Sequence, residues 1–276
     1  MIKKNHQLIS AAILLLLSDV VNAEITEQYS PAISTDRALA TPNSVQLGYS
    51  LDRYSHTFDN NPIATLQYGR ATSWGSMSLR INASNRYQSH DNQYEVDLYP
   101  RLWDGGYAYL NLGTSDGNLF PRNRLGAEIF SSLGHSFEGS LGVRHLAFSN
   151  SVTIYTGSLS KYVGNYLFTI RPYVTHSGAG TSVSTSMSVT RYFADADEYL
   201  RIRASTGKSA DEQKFGSLPP QAVTLRSHSV GLSGQWSPRK AIFISPSFSH
   251  ERQELLFNPG QYVGVDKFSI AISHRF

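Results

Sequence analysis

The sequence predicts an all-β chain closed into an antiparallel transmembrane β-barrel of about fourteen strands, with twelve or sixteen also compatible with the segment boundaries. Three observations carry that prediction. From about Asn43 the chain is a series of segments, each roughly ten residues long, in which apolar and polar side chains alternate; that is the length a tilted strand needs to cross a bilayer. The N-terminus carries an export signal, yet the 276 residues contain no cysteine. The chain also stops in mid-strand, in "DKFSIAISHRF", on the aromatic Phe276.

The leader comes first. Lys3 and Lys4 form a positive start, "LISAAILLLL" is a short apolar core, and Val21, Asn22 and Ala23 make a small-residue cleavage site. The apolar run is well short of the ~20 residues of a spanning helix. Residues 1–23 are therefore expected to be removed, 24–42 to form a flexible periplasmic lead-in without sustained period, and 43–276 to form the barrel. An exported protein meets an oxidising compartment where disulfides are available, and this one uses none. A closed sheet in lipid needs no such staples, because every backbone N–H and C=O is paired within it. The formal charge of +3 and a charged fraction of 16% provide no basic stripe, so no nucleic-acid partner is expected. A mean hydropathy of −0.28 excludes a bundle of transmembrane helices.

The alternation is plain in several segments. In "VQLGYSLD", Val45, Leu47, Tyr49 and Leu51 share one face, and Gln46, Gly48, Ser50 and Asp52 the other. In "MSLRINASNR", Met77, Leu79, Ile81 and Ala83 oppose Ser78, Arg80, Asn82, Ser84 and Arg86. "YEVDLYPRL", "YLFTIRPYV" and "EYLRIRAST" repeat the pattern. A soluble sandwich alternates too, with its apolar face inward. Charges in mid-segment on the polar face, among them Arg80, Glu95, Asp97, Arg124, Glu128, Arg144, Arg171 and Arg201, suit a wet or salt-bridged interior instead. Connections alternate in length as well. Short turns at "TSWG", "WDGG", "SLGH", "KYVGN", "ADAD" and "SPR" separate mostly longer stretches such as "RYQSHDNQ", "TSDGNLFPRN", "GKSADEQKFGSLPPQA" and "LLFNPGQYV". Outer-membrane barrels show that asymmetry. Aromatic residues near segment ends (Tyr68, Tyr94, Tyr107, Tyr166, Tyr192, Trp236 and Phe276) fit interfacial girdles.

The last segment places Phe268, Ile270, Ile272 and Phe276 on one parity. It resembles the C-terminal assembly signal of outer-membrane barrels, which the barrel insertion machinery reads before the last strand pairs with the first.

The stretches "NPIATLQYGR" (61–70), "YEVDLYP" (94–100), "YAYLNLG" (107–113), "FPRNRLGAEIFSSLG" (120–134), "LGVRHLAF" (141–148) and "YTGSLSKYVGNYLFTIRPYV" (155–174) resemble the YaiO family of outer-membrane β-barrel proteins. Leu167 and His145 depart from the family pattern, which carries an aromatic and a Tyr there. The resemblance implies a fold and a location, the outer membrane of a Gram-negative bacterium. It brings no catalytic residue with it.

Three function classes follow. The first is a narrow conduit or binding barrel for small hydrophilic solutes or glycans, since fourteen strands fall between side-chain-filled barrels and open porins. Its lumen-facing candidates are Arg80, Glu95, Asp97, Tyr99, Arg101, Tyr109, Arg124, Glu128, Arg144, Arg171, Tyr173, Tyr199, Arg201 and Arg203. The second is a structural or accessory barrel whose lumen is plugged by ion pairs, with Glu128 and Arg144 on adjacent strands as the expected pair. The third, an outer-membrane hydrolase or acyltransferase, rests on His135 beside Ser136, His228 between two serines, and His250 beside Glu251. Single histidines in a serine-rich chain acquire such neighbours by chance, so no enzyme, cofactor or metal is expected. The expected partners are outer-membrane lipids, the insertion machinery and small solutes or glycans.

Overall fold

The computed structural model describes residues 41–55, 59–178, 180–193, 197–213, 221–255 and 258–276. The expected leader, and the lead-in up to residue 40, lie outside the described residues. Fourteen strands follow one another: β1 (Asn43–Tyr54), β2 (Asn61–Thr72), β3 (Gly75–Arg86), β4 (Ser89–Trp103), β5 (Gly106–Ser115), β6 (Asn123–Gly134), β7 (Phe137–Ala147), β8 (Ser151–Val163), β9 (Tyr166–Ser177), β10 (Gly180–Tyr192), β11 (Tyr199–Gln213), β12 (Gln221–Arg239), β13 (Ile242–Leu255) and β14 (Asn258–Arg275). Each pairs antiparallel with its chain neighbours, and β14 returns to β1. The seam is sealed to its last residue: the Asn43 N–H donates to the Phe276 carbonyl at 3.0 Å and the Phe276 N–H to that of Asn43 at 2.9 Å. No strand edge is left open, so the solution to unpaired backbone in lipid is closure itself.

The two faces settle the choice between sandwich and barrel. Leu47, Leu79, Ile129, Leu141, Ile170, Met187, Ile202, Leu232 and Ile272 are exposed, while Arg80, Glu95, Asp97, Glu128, Arg171 and Arg201 are buried. That is a water-soluble protein turned inside out, with apolar residues outward and charges within. Phe268, Ile270 and Ile272 stand on the outer surface of β14, and Phe276, the residue that follows it, is exposed as well.

The loops differ from expectation. "RYQSHDNQ" is a tight hairpin whose two turn residues, Tyr87 and Gln88, both have positive φ (49° and 58°), the backbone that matches strand twist in a two-residue turn. Much of "LLFNPGQYV" and "GKSADEQKFGSLPPQA" belongs to strands, since β13 runs to Leu255, β14 starts at Asn258 and β11 runs to Gln213. The asymmetry between the two ends therefore lies largely in strand length: β12 has 19 residues and β14 has 18, against the ~9–11 that cross a bilayer. The ladder continues past the membrane because each N–H and C=O there still finds its partner on the neighbouring strand. These segments looked like loops because lipid no longer imposes apolar alternation on them.

Candidate functional site

Inward-facing side chains line the barrel, and the densest polar cluster comes from β3, β4 and β5. Register sets it up: Ser78 faces Asp97, which faces Asn111, and Arg80 faces Glu95. The Arg80 guanidinium donates to Asp97 at 2.7 Å and to Glu95 at 3.2 Å. Asn111 donates to both carboxylates, at 2.7 and 3.1 Å, and the Tyr109 hydroxyl donates to Asp97 at 2.9 Å. Asn82 reaches the other Glu95 oxygen at 2.9 Å, and Ser78 completes Asp97 at 3.2 Å. All four carboxylate oxygens are therefore occupied. Arg124 adds a longer contact to Glu95, 3.7 Å, across Gly113. A Cβ at Gly113 would crowd both side chains, at 3.1 and 3.2 Å. Arg80, Glu95 and Asp97 are each 2–3% exposed.

A second cluster lies on β6 to β9, and its pairing departs from the sequence expectation. Glu128 binds Arg171, at 2.7 Å, and Ser140, at 2.5 Å, with Ser158 bonded in turn to Ser140. It does not pair with Arg144. In the register Glu128 faces Gly142, and Arg144 faces Gly126. A Cβ at Gly142 would lie 2.6 Å from that of Glu128, so only glycine lets the carboxylate lie over β7 toward β9.

Each end of the barrel holds a contact cluster that the sequence reading did not single out. At the outer end the Asp91 carboxylate accepts the backbone N–H groups of Asp116, Asn118, Leu119 and Phe120 at 2.8–3.2 Å, drawing the β5–β6 connection inward. Leu119 and Phe120 then pack on Ile63. At the end that holds the termini, Arg275 pairs with Asp197 at 2.9 Å and its guanidinium lies 4.0 Å over Phe243. Asp91 shares the parity of Glu95 and Asp97, a signal that period two already contained.

The remaining candidates separate as follows. Tyr173 is buried in an apolar cluster with Leu146, Phe148, Val152 and Ile154, and Tyr99 packs against Tyr109 at 5.1 Å. Tyr199 and Arg201 are buried, with the Arg201 Nε donating to Thr190 at 2.9 Å, and Arg203 is half-buried. Arg101 has inward parity but is exposed at the rim, two residues before the Asp104–Gly105 turn, where no wall remains to cover it. Tyr107 and Tyr192 are not girdle residues. Tyr107 is buried and stacked on Phe130 at 4.5 Å, and the Tyr192 hydroxyl is buried without a hydrogen-bond partner. Segment position alone had assigned them; their parity points them inward.

Among the described residues the histidines form no shared site. His135 and Ser136 occupy a two-residue turn with positive φ. His228 bonds Thr206 at 2.7 Å, and His250 bonds Asp266 at 2.7 Å, both exposed. Glu251 instead meets Lys267 at 3.0 Å. A groove of about 780 Å³, lined by residues including Leu66, Leu79, Ile81, Tyr94, Leu112 and Leu125, opens on the outer wall and faces acyl chains, not the lumen.

The model of the YaiO membrane beta barrel domain matches residues 42–212, more than half of the chain. The chain belongs to the YaiO membrane β-barrel family. It is accordingly an outer-membrane barrel of a Gram-negative bacterium. No match was found among curated protein sequences. Among solved structures, this YaiO barrel is similar to a bacterial polysaccharide outer membrane secretin, with a TM-score of 0.52 and 9% identity over 86% of this chain and 99% of that one. It is also similar to Omp33 of Acinetobacter baumannii, with a TM-score of 0.50 and 12% identity over 86% and 98%. At those identities the likeness extends to the fold alone.

Proposed function

We propose that this YaiO-family protein is a binding barrel or narrow conduit for small hydrophilic solutes whose lumen is closed at rest by a cross-bonded ionic constriction. The observation that carries the reading is the contrast between chemistry and exposure along the inner wall. Its side chains are those of an aqueous passage, with arginines, carboxylates, amides and tyrosines, yet Arg80, Glu95, Asp97, Glu128 and Arg171 are almost wholly buried by one another. A barrel meant only to stand in the membrane is served as well by apolar filling, because buried ion pairs are not a cheap source of stability. A purely structural, plugged barrel is the second reading, favoured by the full occupancy of both carboxylates in the β3–β5 cluster.

Planar-bilayer conductance separates these readings. The wild-type protein is expected to show no large steady open-pore current. The double variant Glu95→Gln, Asp97→Asn removes the charges that hold Arg80 and is expected to open brief, solute-dependent currents. A wild-type conductance of general-porin size sinks the constriction. Silence of both proteins at every voltage, together with no binding of any small solute, leaves the structural reading standing.

A further inference from the structure

Among the described lumenal charges, Arg144 is the one whose two terminal nitrogens are both buried without a partner. It is 6% exposed, and neither Nη1 nor Nη2 has a hydrogen-bond partner among the described residues. Burying an arginine with both forks unused is costly. Its register neighbours explain how this comes about. On β6 it faces Gly126, which offers no side chain, and on β8 it faces Ile154, which offers no acceptor. The same row continues through Thr175 on β9 to Ser182 on β10, and both hydroxyls are buried and unpartnered as well. Four strands thus present one guanidinium and two hydroxyls, all donors, interrupted by a single apolar residue. Tyr99 and Tyr109 lie within electrostatic reach of the guanidinium on its other side. Glu128 stands two residues along β6 from Gly126; its Oε1 is held by Arg171 and Ser140, while Oε2 has no partner among the described residues.

We infer that Arg144, with Thr175 and Ser182, forms an oxyanion-binding site inside the lumen, taking the carboxylate or similar oxyanion of a small hydroxylated solute. The inference deepens the binding-barrel reading and rests on it. A planar guanidinium with two free N–H edges matches an oxyanion in a bidentate manner. Neighbouring strands are ~4.8 Å apart, so along the row Thr175 lies two strands and Ser182 three strands from Arg144. An inorganic ion held at Arg144 reaches neither hydroxyl, a sugar acid held by the long arginine side chain reaches Thr175, and Ser182 meets only a longer, oligosaccharide acid. Glu128 sets the orientation, because its free oxygen repels an anion from the β6 side and favours approach over Ile154.

The test is calorimetric titration of the folded barrel in detergent with sodium glucuronate, sodium sulfate and glucose. Glucuronate is expected to bind more tightly than sulfate, and neutral glucose not at all. Arg144→Gln is expected to weaken glucuronate at least about tenfold, the loss of a charged hydrogen-bonded pair, and Thr175→Val to weaken glucuronate but not sulfate. Should Arg144→Gln fail to fold, phenylglyoxal modification of wild-type Arg144, read by peptide mass spectrometry, replaces it, and glucuronate is expected to protect that residue. Equal affinity of wild type and Arg144→Gln, or no protection, overturns the site. Conductance without anion binding overturns this inference and leaves the conduit standing. Binding together with silence of the Glu95→Gln, Asp97→Asn variant in the bilayer keeps the site and removes the conduit.

Discussion

The lumen wall of β3–β5 and that of β7–β10 are built from the same kinds of residue and end in opposite states. On the first, two carboxylates, one arginine, two asparagines, a tyrosine and a serine bond to one another so that every carboxylate oxygen is occupied, although the Arg80 Nε has no partner among the described residues. On the second, an arginine, a threonine and a serine are as deeply buried and have no partner. A buried polar group belongs in a folded protein when its bonds are made; where they are not, either solvent or a ligand completes them. The first wall is thus a girder, the second a socket. Burial alone does not tell them apart.

The largest effect expected from this contrast concerns Arg80 and Arg144. Arg80→Ala strands two buried carboxylates and is expected to lower the unfolding free energy by about 3–5 kcal/mol, read by urea titration in lipid vesicles. Arg144→Met removes a charge that has no partner to lose and is expected to change it by less than ~1 kcal/mol, or to raise it. Equal losses break the comparison. A smaller effect sharpens it at the two glycines of the same region. Gly142→Ala forces Glu128 aside and is expected to cost about 1–3 kcal/mol in the same titration, whereas a Cβ at Gly126 meets only ordinary contacts, at 3.5 and 3.6 Å, and Gly126→Ala is expected to be nearly neutral. The smallest effect lies outside the barrel. The His250–Asp266 pair is about half exposed on both sides, so Asp266→Asn is expected to shift stability by less than ~1 kcal/mol.

The fold was legible residue by residue. Period-two alternation in segments such as "VQLGYSLD" and "MSLRINASNR" placed the inward and outward faces, since a strand's side chains have no other choice. The inward parity of Arg80, Glu95, Asp97 and Tyr109 was visible for the same reason, and so was that of Asp91, which was overlooked. Partner choice was less accessible. Opposite charges on adjacent strands suggest that Glu128 meets Arg144, but they are offset by two register positions, and Gly142 opens a path to Arg171 instead. The extended hairpins were misread because polar strands beyond the membrane carry no apolar alternation.

The amino-acid order by itself determined a closed, lipid-facing sheet of about fourteen strands and which side chains point inward, because both follow from a local repeat and from the need to pair every backbone group in lipid. Only the three-dimensional arrangement decided which inward charges are consumed by one another and which are left free. That depends on cross-strand register and on where a glycine lets a side chain pass, relations between residues tens of positions apart that no local period encodes.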